Sequence, residues 1–345
     1  MEIRVYSPQL NFLGIIENFE SLIWTRKYYE PGDFELHAAD TERNIALLQP
    51  GNIVTKRGSK EAGVIDVLDD EEGLESGKII RSGKFLSGLT ADRIIKNTLN
   101  FNGTYEDGMR FLVNSCRPIP LLLLGARKGY AGNVTFQVTW KNLQKRLTKL
   151  AKAAELGYTI NPDFKKKKLT FEVYKGVDHS TTQKNNPHVI FSEEYGNLQQ
   201  AQRTYDESGY KNLFYIGGEG EGADRKIVVL GDEHAENIRE VFIDAKDLKQ
   251  DKLTPEEYTQ KLLQRGYEKA AEYNVKSAIE AATLNTNFRY KEHWDLGDLV
   301  TVKKKKWNYK EDVRITEVVE VYENGGVSIT PVFGDNLADT YDADE

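Results

Sequence analysis

Two segments far apart in the chain carry the same short pattern, a glycine and a polar residue followed by an alternating run. Residues 51–56 are Gly-Asn-Ile-Val-Thr-Lys, and residues 297–302 are Gly-Asp-Leu-Val-Thr-Val. Each copy is followed by a second alternating run and then, after a hairpin, by a closing strand. In the first copy these are residues 64–67 and 77–80, and in the second copy residues 314–318 and 326–329. The alternation keeps one face of each run apolar, as in a half-buried strand. The repeat predicts two related antiparallel β-barrels, one towards each end of the chain.

Length and aromatic content agree with a mainly β chain of more than one domain. The 345 residues exceed a typical single domain and favour two or three compact units. Eighteen tyrosines and fourteen phenylalanines, against only two methionines, favour stiff sheets over an adaptable helical core. The predicted fold class is therefore α+β, mainly β, with two β-barrels, an α/β insertion and one extra helix.

Turn signals and changes of periodicity divide the chain into four parts. Short strands separated by turns run to about residue 85, and a mixed α/β segment follows. Strands then return after Gly196. The predicted parts are a first barrel at 1–85, an α/β insertion at 86–195, a second barrel at 196–335 and an acidic tail at 336–345.

Helices are predicted where capping residues precede a helical period. Thr90 is expected to cap a helix through Ile95, and Thr104 a second helix that runs to Cys116. A third helix contains leucines at helical spacing from Leu143 onwards, and a left-handed cap is expected at Gly157. The run Thr254-Pro255-Glu256-Glu257 predicts a helix at about 254–273 that interrupts the second barrel.

Charge and cysteine content exclude several classes of function. The net charge of −7 gives no general attraction to nucleic acid or anionic membranes. The single cysteine, Cys116, permits neither an internal disulfide nor a thiolate metal cluster. The N-terminal residues alternate like a strand and do not resemble a signal peptide. The most apolar run, Ile119–Leu124, is far shorter than the roughly 20 residues that cross a bilayer. We therefore expect no membrane span.

The glycine cluster Gly217–Arg225 has the composition but not the spacing of a nucleotide-binding loop. Its glycines alternate, a strand follows them, and Glu219 and Glu221 would repel a pyrophosphate. The alternative is a flexible hairpin loop in which Arg225 pairs with Glu219, Glu221 or a neighbouring subunit. The segment Gly73–Ile79 likewise lacks phosphate-loop spacing, and the acidic run 69–72 lacks the ligand spacing of a calcium loop. No cofactor is predicted.

Known patterns of catalytic and metal-binding residues are also missing. The five histidines form no close metal-ligand pair, and no Gly-x-Ser-x-Gly elbow occurs. A catalytic pair of carboxylates stays open as an alternative, because its members are recognised by their separation in space. The lysine runs 165–168 and 303–306 are interpreted as solvated strand edges, with contact to an acidic partner as the alternative.

The segment Leu22–Leu36 resembles the W-x-R-x-Y-x-x-P-G-x-F-E-L signature of the baseplate hub or tail proteins of siphophages and related prophages. The passage Gly83–Ile95, the loop Gly217–Arg225 and the segment Asp295–Val300 with Arg314–Val318 are similar to further family features. The residues that match the family motifs, and that are candidates for interface contacts, are Trp24, Arg26, Tyr28, Pro31, Gly32, Phe34, Arg93, Glu219, Glu221, Arg225, Gly297 and Asp298.

The resemblance implies a non-enzymatic hub in the virion tail, a homotrimer whose chains each contribute two barrels. Such a ring is expected to cap the tail tube and to contact other tail proteins. Two barrels from each of three chains predict that it adapts sixfold symmetry to a threefold tip. The acidic net charge predicts that DNA passes through it without specific binding. Two other functions stay open, a cell-wall hydrolase with its carboxylates in 86–195 and a glycan-binding adsorption protein that uses surface tyrosines.

Overall fold

The computed structural model describes residues 1–71, 77–251, 253–282 and 288–334. The described part is mainly β, as predicted, with 24 strands and four α-helices. The acidic tail 336–345 and most of the segment Gly73–Ile79 lie outside the described residues. In the parts that the structure does describe, no helix has the length and apolarity needed to cross a membrane.

The N-terminal β region contains eight strands and a short helix. These are β1 (Ile3–Tyr6), β2 (Phe12–Ile16), β3 (Phe19–Lys27), β4 (Asp33–Ala39), α1 (Glu42–Leu47), β5 (Ile53–Lys56), β6 (Gly63–Val64), β7 (Val67–Glu71) and β8 (Lys78–Lys84). Strands β2, β1, β5 and β6 form one sheet in that order. A core that includes Trp24, Phe34, Leu36 and Val54 fills the space beside it.

The segment 86–174, called the insertion below after the expected α/β insertion at 86–195, holds two α-helices against short sheets. Its elements are a 3-10 helix (Leu86–Asp92), β9 (Ile94–Ile95), β10 (Leu99–Thr104), α2 (Tyr105–Ser115), β11 (Leu122–Leu124), β12 (Asn133–Val138), β13 (Lys141–Asn142), α3 (Leu143–Ala154), β14 (Gly157–Asp163) and β15 (Lys168–Tyr174). Thr104 caps α2 by accepting a hydrogen bond from the Asp107 amide, as the sequence predicts.

Two of the helix expectations for the insertion are wrong. Thr90 starts no helix, because it lies inside the 3-10 turn and its hydroxyl bonds back to the Ser87 carbonyl oxygen at 2.7 Å. Ile94 and Ile95 are β9 instead, paired with β13. The left-handed cap of α3 is Glu155 (φ 52°), not Gly157. Gly157 is needed for a different reason, since a Cβ there would lie 2.6 Å from the rings of Tyr28 and Tyr174.

The C-terminal part contributes nine strands and one long helix. They are β16 (Ile190–Ser192), β17 (Gln199–Asp206), β18 (Leu213–Gly217), β19 (Ile227–Gly231), β20 (Glu240–Asp244), α4 (Pro255–Ala270), β21 (Lys276–Ala282), β22 (Leu299–Lys304), β23 (Tyr309–Glu323) and β24 (Gly326–Gly334). Helix α4 begins with the predicted capping box of Thr254 and Glu257. It packs on the three-stranded sheet β19-β18-β20 through Tyr258 and Leu262.

One large sheet joins the two ends of the chain. Its main path runs β17-β21-β24-β23-β3-β4-β8-β7, and β22 and β16 branch from β23. The N-terminal strand β3 pairs antiparallel with the C-terminal strand β23 along seven residue pairs, from Glu317 opposite Lys27 to Glu323 opposite Ser21. The two β regions therefore share a continuous hydrogen-bonded seam.

The repeated segments make the same local hydrogen bonds. The Gly51 amide donates to the Ile65 carbonyl at 2.8 Å, and Ile65 donates to Asn52 at 2.9 Å. In the second copy Gly297 donates to Ile315 at 2.8 Å, and Ile315 donates to Asp298 at 2.9 Å. Both glycines have positive φ, 80° and 91°, which costs other residues conformational strain. One difference is that β5 lies beside the antiparallel β1, whereas β22 lies beside the parallel β16.

Candidate functional site at the seam between the repeats

The signature residues at the start of the chain form the β3–β4 hairpin. Trp24 and Phe34 face each other on its buried side, with ring centroids 6.0 Å apart, and the Phe85 ring lies 4.5 Å from Trp24. Pro31 and Gly32 are buried in the connection. A Cβ at Gly32 would lie 2.2 Å from the Thr25 carbonyl oxygen, so only glycine fits there. These residues hold the hairpin against the N-terminal core.

Arg26 extends from this hairpin across the seam. Its guanidinium donates to Glu61 from its own β region, and to the Tyr290 hydroxyl at 2.7 Å and Asp295 from the other region. Burial disfavours the charged guanidinium, but the charges of Glu61 and Asp295 more than offset it and hold the pKa of Arg26 well above its usual value. Arg26 therefore stays charged and links the two regions.

A buried ion pair of Lys56 and Glu320 lies further along the seam. Their side chains are only 4 % and 1 % exposed, and the Lys56 ammonium also donates to the Tyr322 hydroxyl at 2.8 Å. Burial lowers the pKa of Lys56 to about 8. Burial opposes ionisation of Glu320 as well, but Lys56 and Lys291 nearby lower the pKa of Glu320 to about 2. The pair is charged at neutral pH.

One hydrogen-bonded path connects both clusters. The Tyr290 hydroxyl accepts from Arg26 and donates to Glu320 at 3.0 Å, and Glu320 in turn contacts Lys56. Glu61, Arg26 and Lys56 come from the first β region, whereas Tyr290, Asp295 and Glu320 come from the second. Removing one partner from a buried network of this kind strongly destabilises the folded protein. The network also fixes the register of the two β regions against each other.

Tyr28 ties the seam to the insertion. Its amide donates to the Thr316 carbonyl at 2.9 Å, and its hydroxyl donates to the Glu155 carbonyl at 3.1 Å and accepts from the Gly176 amide at 3.1 Å. The ring lies so close to Gly297 that a Cβ there would approach it to 2.2 Å. One side chain thus contacts both β regions and the end of α3.

Asp298, next to Gly297, holds the chain that returns from the insertion. Its carboxylate accepts from the Val177 amide at 2.7 Å and from the Asp295 amide at 2.8 Å, and it is 5 % exposed. Burial raises its pKa, and these two amides oppose that rise. His179 lies 3.8 Å away. The contacts position a linker and leave both carboxylate oxygens occupied.

The remaining predicted residues lie elsewhere. Arg93 is on the insertion and donates to the carbonyl oxygen of Arg117 at 3.1 Å. Arg225 pairs with Asp244 and with the carbonyls of Gly217 and Gly218, so the expected pairing with Glu219 or Glu221 within the chain is wrong. Those two glutamates pair with Lys249 and Lys246. Sheet β19-β18-β20 brings Asp244 beside Arg225 because β20 runs parallel to β18, a pairing that the sequence did not reveal.

Sequence reasoning did not identify Lys56, Glu61, Tyr290 and Glu320 as parts of the site. The available signal was a charged residue on the inward face of an alternating strand, as in the run Glu317-Val-Val-Glu-Val-Tyr-Glu. Chemically, the network satisfies its own charges. Within the described ranges no three His, Cys, Asp or Glu side chains are grouped so as to hold a metal ion. The arrangement can therefore hold the two β regions together.

The two outer edges of the large sheet differ from the seam. Strands β7 and β17 end its main path, and each pairs with a strand on one side only among the described residues. Both carry exposed apolar side chains, with Val67 at 54 %, Leu68 at 39 % and Tyr205 at 54 % exposure. Unpaired strand edges with apolar side chains readily accept another strand.

Solved structures with a similar fold include three tail proteins, two of them described as prophage proteins. The tail protein from Neisseria meningitidis MC58 matches with a TM-score of 0.63 and 15 % identity, over 97 % of this chain and 96 % of that one. The 43 kDa tail protein of prophage MuSo2 from Shewanella oneidensis gives 0.63 and 15 %, over 96 % and 98 %. Prophage tail protein gp18 from Listeria monocytogenes EGD-e gives 0.60 and 14 %, over 97 % and 95 %. No curated protein matches the sequence.

The family follows from the sequence itself. The family model described as Siphovirus ReqiPepy6 Gp37-like protein matches residues 2–335. The chain therefore belongs to this siphovirus family, which confirms the resemblance to phage tail proteins carried by the Trp24–Leu36 signature.

Proposed function

We propose that this protein is a structural, non-enzymatic hub of a phage tail, a homotrimer that forms a ring at the end of the tail tube. The virion tail is its proposed location, and other tail proteins are its proposed partners. The observation that carries the proposal is the seam between β3 and β23, together with the two open edges of the same sheet.

The order of strands in the large sheet repeats. The sheet has two halves, β17-β21-β24-β23 and β3-β4-β8-β7. In each half two strands are followed by a hairpin, which is β23–β24 in the first half and β7–β8 in the second. Each hairpin comes after one of the repeated glycine segments in the sequence. At the seam the hairpin strand β23 of one half pairs with the first strand β3 of the other. The same contact repeated once more would pair the open β7 with the open β17 of a neighbouring copy. A contact of this head-to-tail type forms a ring when the rotation between copies closes, and an open filament when it does not; we propose a closed ring of three chains.

The register of the seam predicts the register between copies. Ile65 and Ile315 make equivalent hydrogen bonds, so the two repeats are aligned at these residues. In this alignment β7 takes the place of β23, and β17 of a neighbouring copy takes the place of β3. Leu68 then lies opposite Tyr205 of the neighbour, and Asp70 lies opposite its Arg203. Leu68 and Tyr205 are exposed apolar residues that such pairing would bury. Asp70 and Arg203 have opposite charges, and Asp70, which pairs with Arg81 of its own chain, is still 58 % exposed. This complementarity supports strand pairing between copies.

Three chains with two halves each give six similar units around one axis. A trimer could then match a sixfold tail tube on one side while the insertions remain threefold. The net charge of −7 supports a ring that does not bind DNA phosphates and lets the genome pass.

The ring is tested by a disulfide across the proposed contact, in a chain that carries Cys116→Ala. Asp69→Cys with Thr204→Cys places the two thiols at opposed positions of β7 and β17, so mild oxidation should give covalent trimers. Asp69→Cys with Tyr205→Cys is the control, because adjacent strand residues point to opposite faces.

Native mass spectrometry that finds a stable monomer or dimer in assembled tails would refute the trimer. Release of soluble wall fragments that one carboxylate substitution abolishes would refute the non-enzymatic role.

A further inference from the structure

The insertion differs from the rest of the chain in charge. From the 3-10 helix to the end of β15, residues 86–174 hold 15 lysines and arginines against 6 aspartates and glutamates, which leaves 32 and 48 of the chain's 47 and 54 for the remainder. The acidic balance of the whole protein therefore hides a basic unit. A basic unit on an acidic protein attracts anionic partners to one place.

Part of this charge surrounds a groove beside β9. The groove has a volume of about 510 Å³, and Arg93, Lys96 and Arg117 line it. Lys141 is close by, since it pairs with Ile95 across the β9–β13 ladder. In residues 1–71, 77–251, 253–282 and 288–334, none of these four cations forms an ion pair with a carboxylate. Asp92 is the one carboxylate among the lining residues.

Apolar groups accompany the cations. Ile94, Leu99, Pro118 and Pro120 also line the groove, and Ile94 is 42 % exposed. The Trp140 amide donates to the Ile95 carbonyl at 2.6 Å, and its side chain is 70 % exposed. Trp140 has a φ of 50°, an unfavourable conformation for a bulky residue. Trp140 does not line the groove itself, but its backbone is bonded to the lining residue Ile95. Unfavourable φ values cluster at functional sites, and tryptophan is enriched among the residues that dominate binding energy.

We propose that this groove and Trp140 form a docking site for an acidic, extended segment of a partner protein. Unpaired cations around the groove supply the charge complementarity, and the aliphatic lining suits apolar side chains that alternate with the acidic ones. A phosphate polymer would use the cations but leave Ile94, Leu99 and the prolines without a role. The site lies on the insertion and does not depend on the proposed ring.

The test uses a fluorescein-labelled peptide of four Glu-Leu repeats and measures its anisotropy against the full chain. Lys96→Glu with Arg117→Glu should weaken binding by at least about tenfold, because two attractive contacts become repulsive. Trp140→Ala should weaken it by about fivefold or more through loss of the apolar anchor. The matched control is Lys128→Glu with Lys152→Glu, two exposed lysines of the insertion outside the groove lining, which should change binding less than about twofold.

Two further probes separate the chemistry. A peptide of four Glu-Ser repeats keeps the charge and loses the apolar side chains, so it should bind more weakly than the Glu-Leu peptide. Inorganic polyphosphate should bind with an affinity that Trp140→Ala does not change. Failure of the Glu-Leu peptide to bind, an equal loss in the control variant, or Glu-Leu binding insensitive to Trp140→Ala would each overturn the proposal. Circular dichroism of every variant checks that its fold is intact.

Discussion

The seam between β3 and β23 and the two open edges of the same sheet are made from corresponding strands, yet their side chains differ. At the seam charged groups are buried, with Glu320 of β23 only 1 % exposed and its partner Lys56, on the neighbouring strand β5, only 4 % exposed. At the edges β7 and β17 expose apolar groups such as Val67 and Tyr205. A buried charge without its partner strongly destabilises the fold, whereas an exposed apolar side chain is tolerated until a partner covers it. The seam is therefore a permanent joint, and the edges suit a contact made during assembly.

The largest effect is expected from breaking the ion pair at the seam. Glu320→Leu leaves Lys56 buried without its main partner, and should lower the free energy of unfolding by about 3–5 kcal/mol. Chemical denaturation monitored by tryptophan fluorescence measures it. The double variant Lys56→Met with Glu320→Leu should recover most of the loss, since no buried charge is then left unpaired and Lys291, which also pairs with Glu320, is 40 % exposed. A single variant as stable as the wild type would show that the pair is not needed.

A smaller difference is expected between the two repeated glycines. Gly297→Ala forces a Cβ to within 2.2 Å of the Tyr28 ring at a φ of 91°, and should cost about 3 kcal/mol. Gly51→Ala has a similar φ of 80° but its nearest neighbour is Pro8 at 3.8 Å, so only about 1 kcal/mol is expected from backbone strain. Thermal unfolding of both variants tests this. Equal losses would mean that Tyr28 yields without cost.

Acid should weaken the seam in a defined window. The folded-state pKa of Glu320 is lowered to about 2, below its ordinary value of 4.5. Its contribution is therefore fully present above pH 4.5 and is lost as the pH falls towards 2. Between pH 6 and pH 3 the wild type should lose about 2 kcal/mol more than the Lys56→Met, Glu320→Leu double variant. Denaturation series at both pH values provide the comparison, and parallel curves would contradict it.

The smallest effect on folding is expected at an open edge. Leu68 is 39 % exposed, so Leu68→Glu should change the free energy of unfolding of the isolated chain by less than about 0.5 kcal/mol. The same change should lower the trimer fraction by about tenfold or more, because it places a carboxylate where the neighbour would bury an apolar side chain. Sedimentation velocity and thermal unfolding on one sample separate the two effects. Unchanged assembly would remove β7 from the proposed contact.

Local patterns predicted the elements that local physics decides. The caps at Thr104 and Thr254 are where capping chemistry places them, and the repeated glycine segments share their hydrogen bonds. Predictions failed where distant residues decide. Ile94 and Ile95 continue a helical pattern after Thr90, but they pair with β13 about 47 residues later and so become a strand.

The site itself was predicted only in part. The signature Trp24–Phe34 indicated the hairpin, but not the partners of Arg26, because Tyr290 and Asp295 lie more than 260 positions away in sequence. No local sequence pattern predicts that Lys56 and Glu320 form a pair, because only the pairing of β3 with β23 brings β5 and β23 together. The ten-stranded sheet follows from this long-range pairing and could not be derived from strand periodicity.

The same long-range pairing has a consequence for synthesis on the ribosome. Trp24 of β3 pairs with Glu320, 296 positions later, so β3 leaves the ribosome well before its partner exists. At roughly 5–20 residues per second the delay is about 15–60 s. During that time one edge of β3 has no strand to pair with, and an unpaired edge invites association with other nascent chains. Expression yield should therefore depend on translation speed and on chaperones that cover β3, and slower translation of residues 90–310 should lower it.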